Sequence, residues 1–235
     1  MKIVLNTLSS SVVLFLLFSA QLTNSNETKT YFGEAYSLED NKFLYREEHV
    51  LEYVDGSIAK RKVNYLDSTG GLIVTKENKY LGLLHQPSYQ LVDLRRAYEE
   101  QAVVGQEKIK LVLNEKGKKT IEQKSVDVSN LVVDAGFDHF IQLSWQDLIN
   151  GKTIEFNFAS VARQTIVEFE LIPVQKDDDK LYLNMELASS WLAWLMPNIE
   201  LEYDIKTKKL LRYKGLSNIQ DENGDGLYVD LKFYY

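Results

Sequence analysis

The chain has 235 residues, of which 45% are hydrophobic, 11% aromatic and 26% charged, and it contains no cysteine. This composition is typical of a folded globular protein and excludes a collagen, a disordered low-complexity chain, a disulfide scaffold and a cysteine-ligated metal site. The formal net charge of −7 argues against nucleic acid as a partner.

The first 25 residues have the features of a secretory signal peptide. Lys2 supplies a basic start, residues 12–18 form a short apolar run, and a stretch rich in Ser, Thr and Asn follows. Seven apolar residues are too few to span a bilayer. We therefore predict a signal peptide at residues 1–25 and a single mature domain at residues 26–235. A buried first helix is the alternative, and the cleavage position stays open because no clear A-x-A pattern is present.

The same features predict a compartment. A chain without cysteine cannot carry the acylated cysteine of a bacterial lipoprotein, and the longest later apolar run, residues 191–197, is too short to cross a membrane. We expect an exported, soluble, periplasmic protein that is not membrane-spanning after processing.

Alternation of apolar and polar residues with a period of two dominates the mature chain, which predicts strands with one face on a core. The first candidates are the less regular ones, at residues 31–37, 43–54, 58–65, 72–77, 89–95, 108–113 and 120–126. Later strands alternate cleanly, and we expect their inner face to include Phe156, Phe169, Leu183, Leu201 and Leu231. Turns rich in Gly, Asp and Asn join the strands, which favours an antiparallel meander.

Two helices interrupt this pattern. Residues 137–149 have helical apolar spacing, with Asp134 as a candidate cap and Gly151 as a candidate stop. Residues 190–196 form a second, wholly apolar segment that ends at Pro197. The predicted fold is therefore mainly β: a strongly curved antiparallel sheet or incomplete β-barrel, with one amphipathic helix and one short apolar helix covering its concave side.

Catalytic motifs are missing from the sequence. It has no nucleophile elbow, zinc-protease motif, phosphate-binding loop or dinucleotide-binding glycine pattern. We expect His49, His85 and His139 to be solvated or structurally bonded, and the acidic residues of the strands to form a solvated face. We therefore predict that the protein is not an enzyme, with no catalytic residue and no cofactor, although a pair of carboxylates of the glycosidase type could not be located or dismissed.

The sharpest local motif is DENGDG at residues 221–226, which resembles the first half of a calcium loop. Asp221, Asn223 and Asp225 are weak candidate ligands, but the twelfth position is Lys232 instead of a bidentate glutamate. We predict a hairpin turn without a metal.

The apolar segment 190–196 is open to two interpretations. It could plug the end of the sheet, or it could line a lipophilic pocket or a partner-binding surface. In the second case the ligand-binding side chains would be drawn from two regions of the chain: Trp191, Trp194, Met196, Phe156, Phe169 and Met185.

Several passages resemble a family of uncharacterised exported bacterial proteins. They are residues 135–140 with Trp145 and Gly151, residues 211–219, residues 71–79 and residues 89–93. This resemblance implies an exported compartment and a β-rich architecture, and brings no catalytic residues. More distantly, the predicted sheet is similar to the half-barrels of periplasmic lipoprotein carriers of the LolA/LolB type, with which it shares no short motif.

Three functions follow in order of preference. The first is non-enzymatic binding of an apolar ligand, a lipid or an acylated protein, in a half-barrel cavity. The second is a structural or assembly role in the cell envelope, through an exposed sheet edge or the Trp-rich segment. The third is a hydrolase of unrecognised type. The partner is thus an apolar small molecule or an envelope protein, and neither its identity nor the oligomeric state follows from the sequence.

Overall fold

The computed structural model describes residues 26–125, 130–189 and 197–235. Within these residues, fifteen strands form one sheet. Their bounds are β1 Asn26–Ser37, β2 Phe43–Val54, β3 Ser57–Leu66, β4 Leu72–Lys79, β5 Ser88–Asp93, β6 Tyr98–Val104, β7 Lys108–Glu115, β8 Lys118–Ser125, β9 Leu131–Val132, β10 Ile154–Ser160, β11 Thr165–Lys176, β12 Lys180–Leu187, β13 Ile199–Asp204, β14 Leu210–Gln220 and β15 Gly226–Tyr234.

The sheet is a curved meander that does not close. Its order runs from β8 back to β1, then to β15 and back from β15 to β9. Each neighbouring pair is antiparallel apart from β9 and β10, which are parallel. The predicted fold class, a mainly β protein with a strongly curved antiparallel sheet, is confirmed.

The alternation in the sequence places side chains as expected. The five residues predicted for the inner face are all buried, with at most 6% of each exposed: Phe156, Phe169, Leu183, Leu201 and Leu231. Their outward neighbours on β10, β11 and β13 include Glu155, Glu168 and Glu200, which leave the core side to the apolar residues.

Two hydrophobic clusters lie on the concave side. The first joins β1 to β7 with β9, β14, β15 and the end of β10 around the fully buried Tyr45 and Tyr65. The second joins β10 to β13 with the helical segment, from which Ile141, Trp145 and Leu148 enter the core. We call β1 to β8 the first half of the sheet and β9 to β15 the second half. The helical segment therefore covers the second half of the sheet.

That segment corrects the predicted single helix at residues 137–149. It consists of a 3₁₀ turn, Asp134–Gly136, followed by α1 Phe137–Leu143 and α2 Trp145–Ile149. The break lies at Ser144, whose ψ of 2° departs from the helical value. Gly151 follows α2 with φ of +83°, which fits its predicted role as a helix stop.

Asp134 does not cap the helix, which corrects a second expectation. It has no side-chain capping bond, because its carboxylate instead accepts hydrogen bonds from Lys76 and Asn78 on β4. The turn is held close to the loop before β5: a Cβ on Gly136 would lie 2.3 Å from the carbonyl oxygen of His85. Only glycine fits there.

Three strands were not predicted, namely β6, β9 and β14. On β6 the inward residues are Tyr98, Glu100 and Ala102. Because one of them is charged, the sequence of this strand does not alternate between apolar and polar residues. The predicted signal peptide and the predicted apolar helix at residues 190–196 lie outside the described residues. In the part of the chain that is described, neither helix is long and apolar enough to cross a membrane.

Candidate functional site

The concave side of the sheet encloses a cavity of about 530 Å³. This volume lies within the usual range of roughly 300–1,000 Å³ for small-molecule sites. Its lining comes from both halves of the sheet and from the segment around Asp134 to Asp138. The chemistry of the two halves differs, and each is described in turn.

The second half of the sheet supplies an apolar wall. Its lining side chains come from β10, β11, β12, β13 and β14, and the chief ones are Phe158, Val167, Phe169, Met185, Ile199 and Leu216. Aromatic and branched side chains of this kind offer apolar area without a polar requirement of their own. This wall suits an apolar group of a ligand.

The first half of the sheet supplies a polar wall, and strand register explains its arrangement. Tyr31 pairs with His49, His49 with Val63 and Val63 with Lys76. The same row continues through Leu91 to Glu100. Because directly opposed residues share a face, the row brings these titratable side chains to the concave side.

His49 is fixed between two charged neighbours. Its Nε2 lies 2.9 Å from Glu47 Oε2, and Arg61 Nε donates to its Nδ1 at 3.3 Å. Since Nδ1 accepts, the proton of the neutral ring is on Nε2, where it is donated to Glu47. The ring stacks on Tyr31 at 4.3 Å between centroids. Burial lowers the pKa of His49 to about 4, so the ring is neutral at pH 7.

Arg61 ties this wall to the helical segment. Its Nη1 donates to Asp138 Oδ2 at 2.7 Å, and its Nη2 donates to the Tyr31 hydroxyl. The guanidinium is buried, with about a tenth of its side chain exposed. A charge in that position needs its ionic partner, because an isolated charge in a low-dielectric interior is very costly.

A second buried ion pair lies one strand further along. Lys76 Nζ donates to Asp134 Oδ1 at 3.0 Å, and Asn78 Nδ2 donates to Asp134 Oδ2 at 2.7 Å. Burial acts to raise the pKa of Asp134, but Lys76 and Asn78 outweigh it and hold the pKa below its ordinary value. Asp134 is therefore an ionised carboxylate that is fully engaged.

Glu100 is the third buried group of the row. Tyr89 donates its hydroxyl to Glu100 Oε2 at 2.7 Å, and Tyr98 donates its hydroxyl to Oε1. Burial raises the pKa of Glu100 above its ordinary value. Only 8% of the residue is exposed, and it lines the cavity.

At the edge of the cavity, the two halves of the sheet are in direct contact. Arg95 and Arg96 both bind Asp93, and both also donate to Gln220 at the end of β14. The guanidinium of Arg96 lies over the Tyr98 ring, 4.2 Å from its centroid. These contacts hold the turn at residues 221–226 next to the β5–β6 connection.

The structure brings together only part of the predicted ligand site. Phe169 and Met185 line the cavity. Phe156 packs behind them, with its ring centroid 5.1 Å from that of Phe140 and 5.7 Å from that of Phe169. Trp191, Trp194 and Met196 lie outside the described residues, so their role stays a prediction.

The DENGDG motif forms a turn. Asp221 Oδ1 accepts the backbone N–H groups of Asn223 and Asp225, each at 2.8 Å. Within the described ranges, no group of three or more His, Asp or Glu side chains is placed to hold a metal ion. The oxygen of Asp221 is used by the backbone, as in an Asx turn.

The expectation that acidic strand residues form a solvated face is wrong for one group of them. Glu47, Asp93 and Glu100, on β2, β5 and β6, line the cavity and are buried. The sequence did contain a signal for these positions. Glu47 lies two residues from Tyr45, and Glu100 lies two residues from Tyr98, so each glutamate is on the same face of its strand as a core aromatic residue.

No family model matches the chain, and no curated protein matches it. A solved structure similar to it is a β-barrel-like protein of the domain of unknown function DUF1849 from Brucella abortus. The identity is 9%, the match covers 90% of this chain and 97% of that chain, and the TM-score is 0.43. The likeness to LolA/LolB-type carriers stays a prediction, and function has to be inferred from the cavity.

Proposed function

We propose that the protein is a non-enzymatic, exported binding protein that holds an apolar or amphipathic ligand, such as a lipid or an acyl chain, in the cavity of its curved sheet. The supporting observation is the cavity of about 530 Å³ with one apolar wall. A barrel-like sheet is among the architectures that leave room for one small ligand inside.

The geometry of His49 favours binding over catalysis. A general base needs a nitrogen free to accept a proton from a substrate, and a pKa near the working pH. Both ring nitrogens of His49 are engaged, one by Glu47 and one by Arg61, and its pKa of about 4 is far below neutrality. This histidine therefore acts as a fixed part of the wall.

The assembly role has less support. The exposed edge strand β8 offers Ile121, which is 50% exposed, but it also carries Lys118, Lys119 and Lys124. Lysine on an edge strand discourages pairing with another strand. Ligand binding is therefore the function we prefer.

A cavity-filling variant tests the binding proposal. Val167 lines the cavity, so Val167→Trp should place an indole in the space that an acyl chain would occupy. Val174 lies on the same strand but is 58% exposed, which makes Val174→Trp the matched control. We expect a neutral fluorescent lipid to bind the wild-type protein and the control alike, and to bind Val167→Trp at least about tenfold more weakly.

Two results would contradict the proposal. One is a wild-type protein that binds no lipid-like probe; the other is a Val167→Trp variant that binds as well as the control while keeping its thermal midpoint. Mass spectrometry of an organic extract from gently purified protein is an independent check, because a carrier should retain part of its natural ligand.

Export is tested separately. We expect the protein recovered from its native host to begin after about residue 25, since the basic start and apolar run of residues 1–18 are those of a signal peptide. N-terminal sequencing measures this. An intact Met1 would contradict the predicted export to the periplasm, and the binding test would be unaffected.

A further inference from the structure

The side chains that line the cavity include more carboxylates than the ion pairs among them use. Three cations are each paired with a carboxylate: Arg61 with Asp138, Lys76 with Asp134 and Arg96 with Asp93. Arg163, the remaining cation of the lining, also has an interaction of its own. An anionic ligand group would have to compete with carboxylates that already hold these cations.

Two carboxylates remain beyond those pairs, and they differ. Glu47 accepts the Nε2 proton of His49, and His49 in turn accepts from Arg61, so Glu47 is linked to a cation through one ring. Glu100 is bonded only by the hydroxyls of Tyr89 and Tyr98. In the portions of the chain that the structure describes, no lysine, arginine or histidine nitrogen lies within 4.0 Å of Glu100.

Glu100 is therefore a buried acid at the wall of a cavity with no cation in contact. Lys76 acts on its pKa only at longer range, where Asp134 opposes that effect. Carboxylates in such positions are usually paired, because the ionised form is strongly disfavoured in a low-dielectric site. A cation brought by the ligand would supply the missing partner. The aromatic rings of Tyr89 and Tyr98 lie beside it, and the face of an aromatic ring attracts a cation. Tyr98 already makes such a cation–π contact with Arg96, whose guanidinium carbon lies 4.2 Å from the ring centroid.

We infer that the ligand carries a cationic group, a primary ammonium joined to an apolar tail, and that Glu100 binds this ammonium while the apolar wall holds the tail. The inference rests on the proposed binding function and adds to it the class of ligand. It places the head group at the β5–β6 side of the cavity and the tail against Phe169, Met185 and Ile199 on the other side.

Three probes with the same tail provide the test: dodecylamine, dodecanol and dodecanoate, each below its micelle concentration. Binding is measured by displacement of a neutral fluorescent probe at about pH 8, where an alkyl ammonium, like lysine, stays protonated. We expect dodecylamine to bind roughly tenfold or more tightly than dodecanol, since both can donate a hydrogen bond to Glu100 but only the ammonium brings a positive charge to it. Dodecanoate should bind most weakly.

The variant Glu100→Gln keeps the shape of the side chain and removes its charge. We expect it to reduce the preference for dodecylamine over dodecanol to less than about threefold. Glu99→Gln is the control, because Glu99 lies next in the strand, outside the cavity lining, and bonds to Gln90 at 2.6 Å. It should keep the full preference.

A second measurement does not depend on a variant that folds. A carbodiimide joins a carboxylate to an amine as an amide and takes up the lost water as a urea. With dodecylamine bound to wild-type protein, we expect peptide mass spectrometry to find the amide on Glu100, and excess dodecanol to suppress it.

The outcomes are distinct. If none of the three probes binds, the proposed function fails. If dodecylamine and dodecanol bind equally, if dodecanoate binds best, or if the amide forms on other carboxylates and not on Glu100, the binding function stands and the ammonium inference is overturned.

Discussion

Both halves of the sheet place alternate side chains inward, yet their concave faces carry different chemistry. Of the ten buried polar or charged residues in the described chain, nine lie between Glu47 and Glu100. The tenth, Asp230, lies on β15, and none of the ten lies on β9 to β14 or on the helices that cover them. Strand geometry thus decides which side chains face inward, and it does so whatever their polarity.

This difference separates two tasks. Apolar side chains that pack against one another stabilise the fold, since burial of their surface is favourable and needs no partner. Buried polar side chains must each be given a partner, and the partners fix their positions. In the second half, the free energy of unfolding should therefore depend on the volume of the buried side chains. In the first half, it should depend on whether each buried charge keeps its partner.

The largest effect is expected in the second half. Phe156 is 1% exposed and contacts three other rings, so Phe156→Ala should lower the free energy of unfolding by about 3–5 kcal/mol. Urea denaturation measures the change. Val174→Ala, at a position 58% exposed, should stay within about 0.5 kcal/mol of wild type. Equal effects would show that the second cluster is not a packed core.

In the first half, the cost should come from broken pairing. Lys76→Met leaves the buried carboxylate of Asp134 without its cation and should cost about 3–5 kcal/mol. Adding Asp134→Asn removes the orphaned charge, so the double variant should be more stable than Lys76→Met alone. Denaturation of the two singles and the double gives the coupling energy. Additive losses would mean that the pair is exposed enough for water to replace either partner.

The same contrast explains which features the sequence revealed. Residues 154–158, 167–171 and 181–187 alternate cleanly because only apolar side chains face inward there, and those predictions are confirmed. The earlier strands look less regular because Glu47, His49 and Glu100 occupy inward positions. Fold class follows from the alternation, and the bounds of β2 were predicted to the residue.

The polar wall could not be predicted in the same way. Its groups come from different strands and meet through register, which depends on hairpin pairing over tens of residues. Asp134 looked like a helix cap because the sequence does not show that β4 places Lys76 beside it. On the apolar side, Phe169 and Met185 line the cavity, and their role in binding a ligand stays a prediction.

The pH dependence of stability tests His49 as a fixed, neutral member of the polar wall. The unfolded chain protonates this histidine below about pH 6.5, whereas the folded protein, with a pKa of about 4, does not. The unfolding free energy should therefore fall as the pH decreases from 6.5 to 4, by about 3 kcal/mol from this group.

The matched variant is His49→Gln, whose amide can donate to Glu47 and accept from Arg61. It should lose that part of the pH dependence, while the contribution of His139, whose pKa burial also lowers, is common to both proteins and cancels. Denaturation series at several pH values measure the difference. Parallel curves would place His49 in contact with solvent.

The smallest effect is expected at the turn that joins the halves, residues 221–226, which lies against Arg96. Asp221→Ala removes the acceptor of two backbone N–H groups and should cost about 1 kcal/mol, whereas Asp221→Asn keeps an acceptor and should cost less. Those backbone bonds also lower the pKa of Asp221, with the Asp225 N–H as the main cause. The carboxylate is therefore ionised at neutral pH, and its Oδ1 already accepts two backbone N–H groups.

Calcium should therefore leave the stability of wild type and variant unchanged. Calorimetric binding near micromolar affinity that vanishes in Asp225→Ala would instead make this turn a metal site.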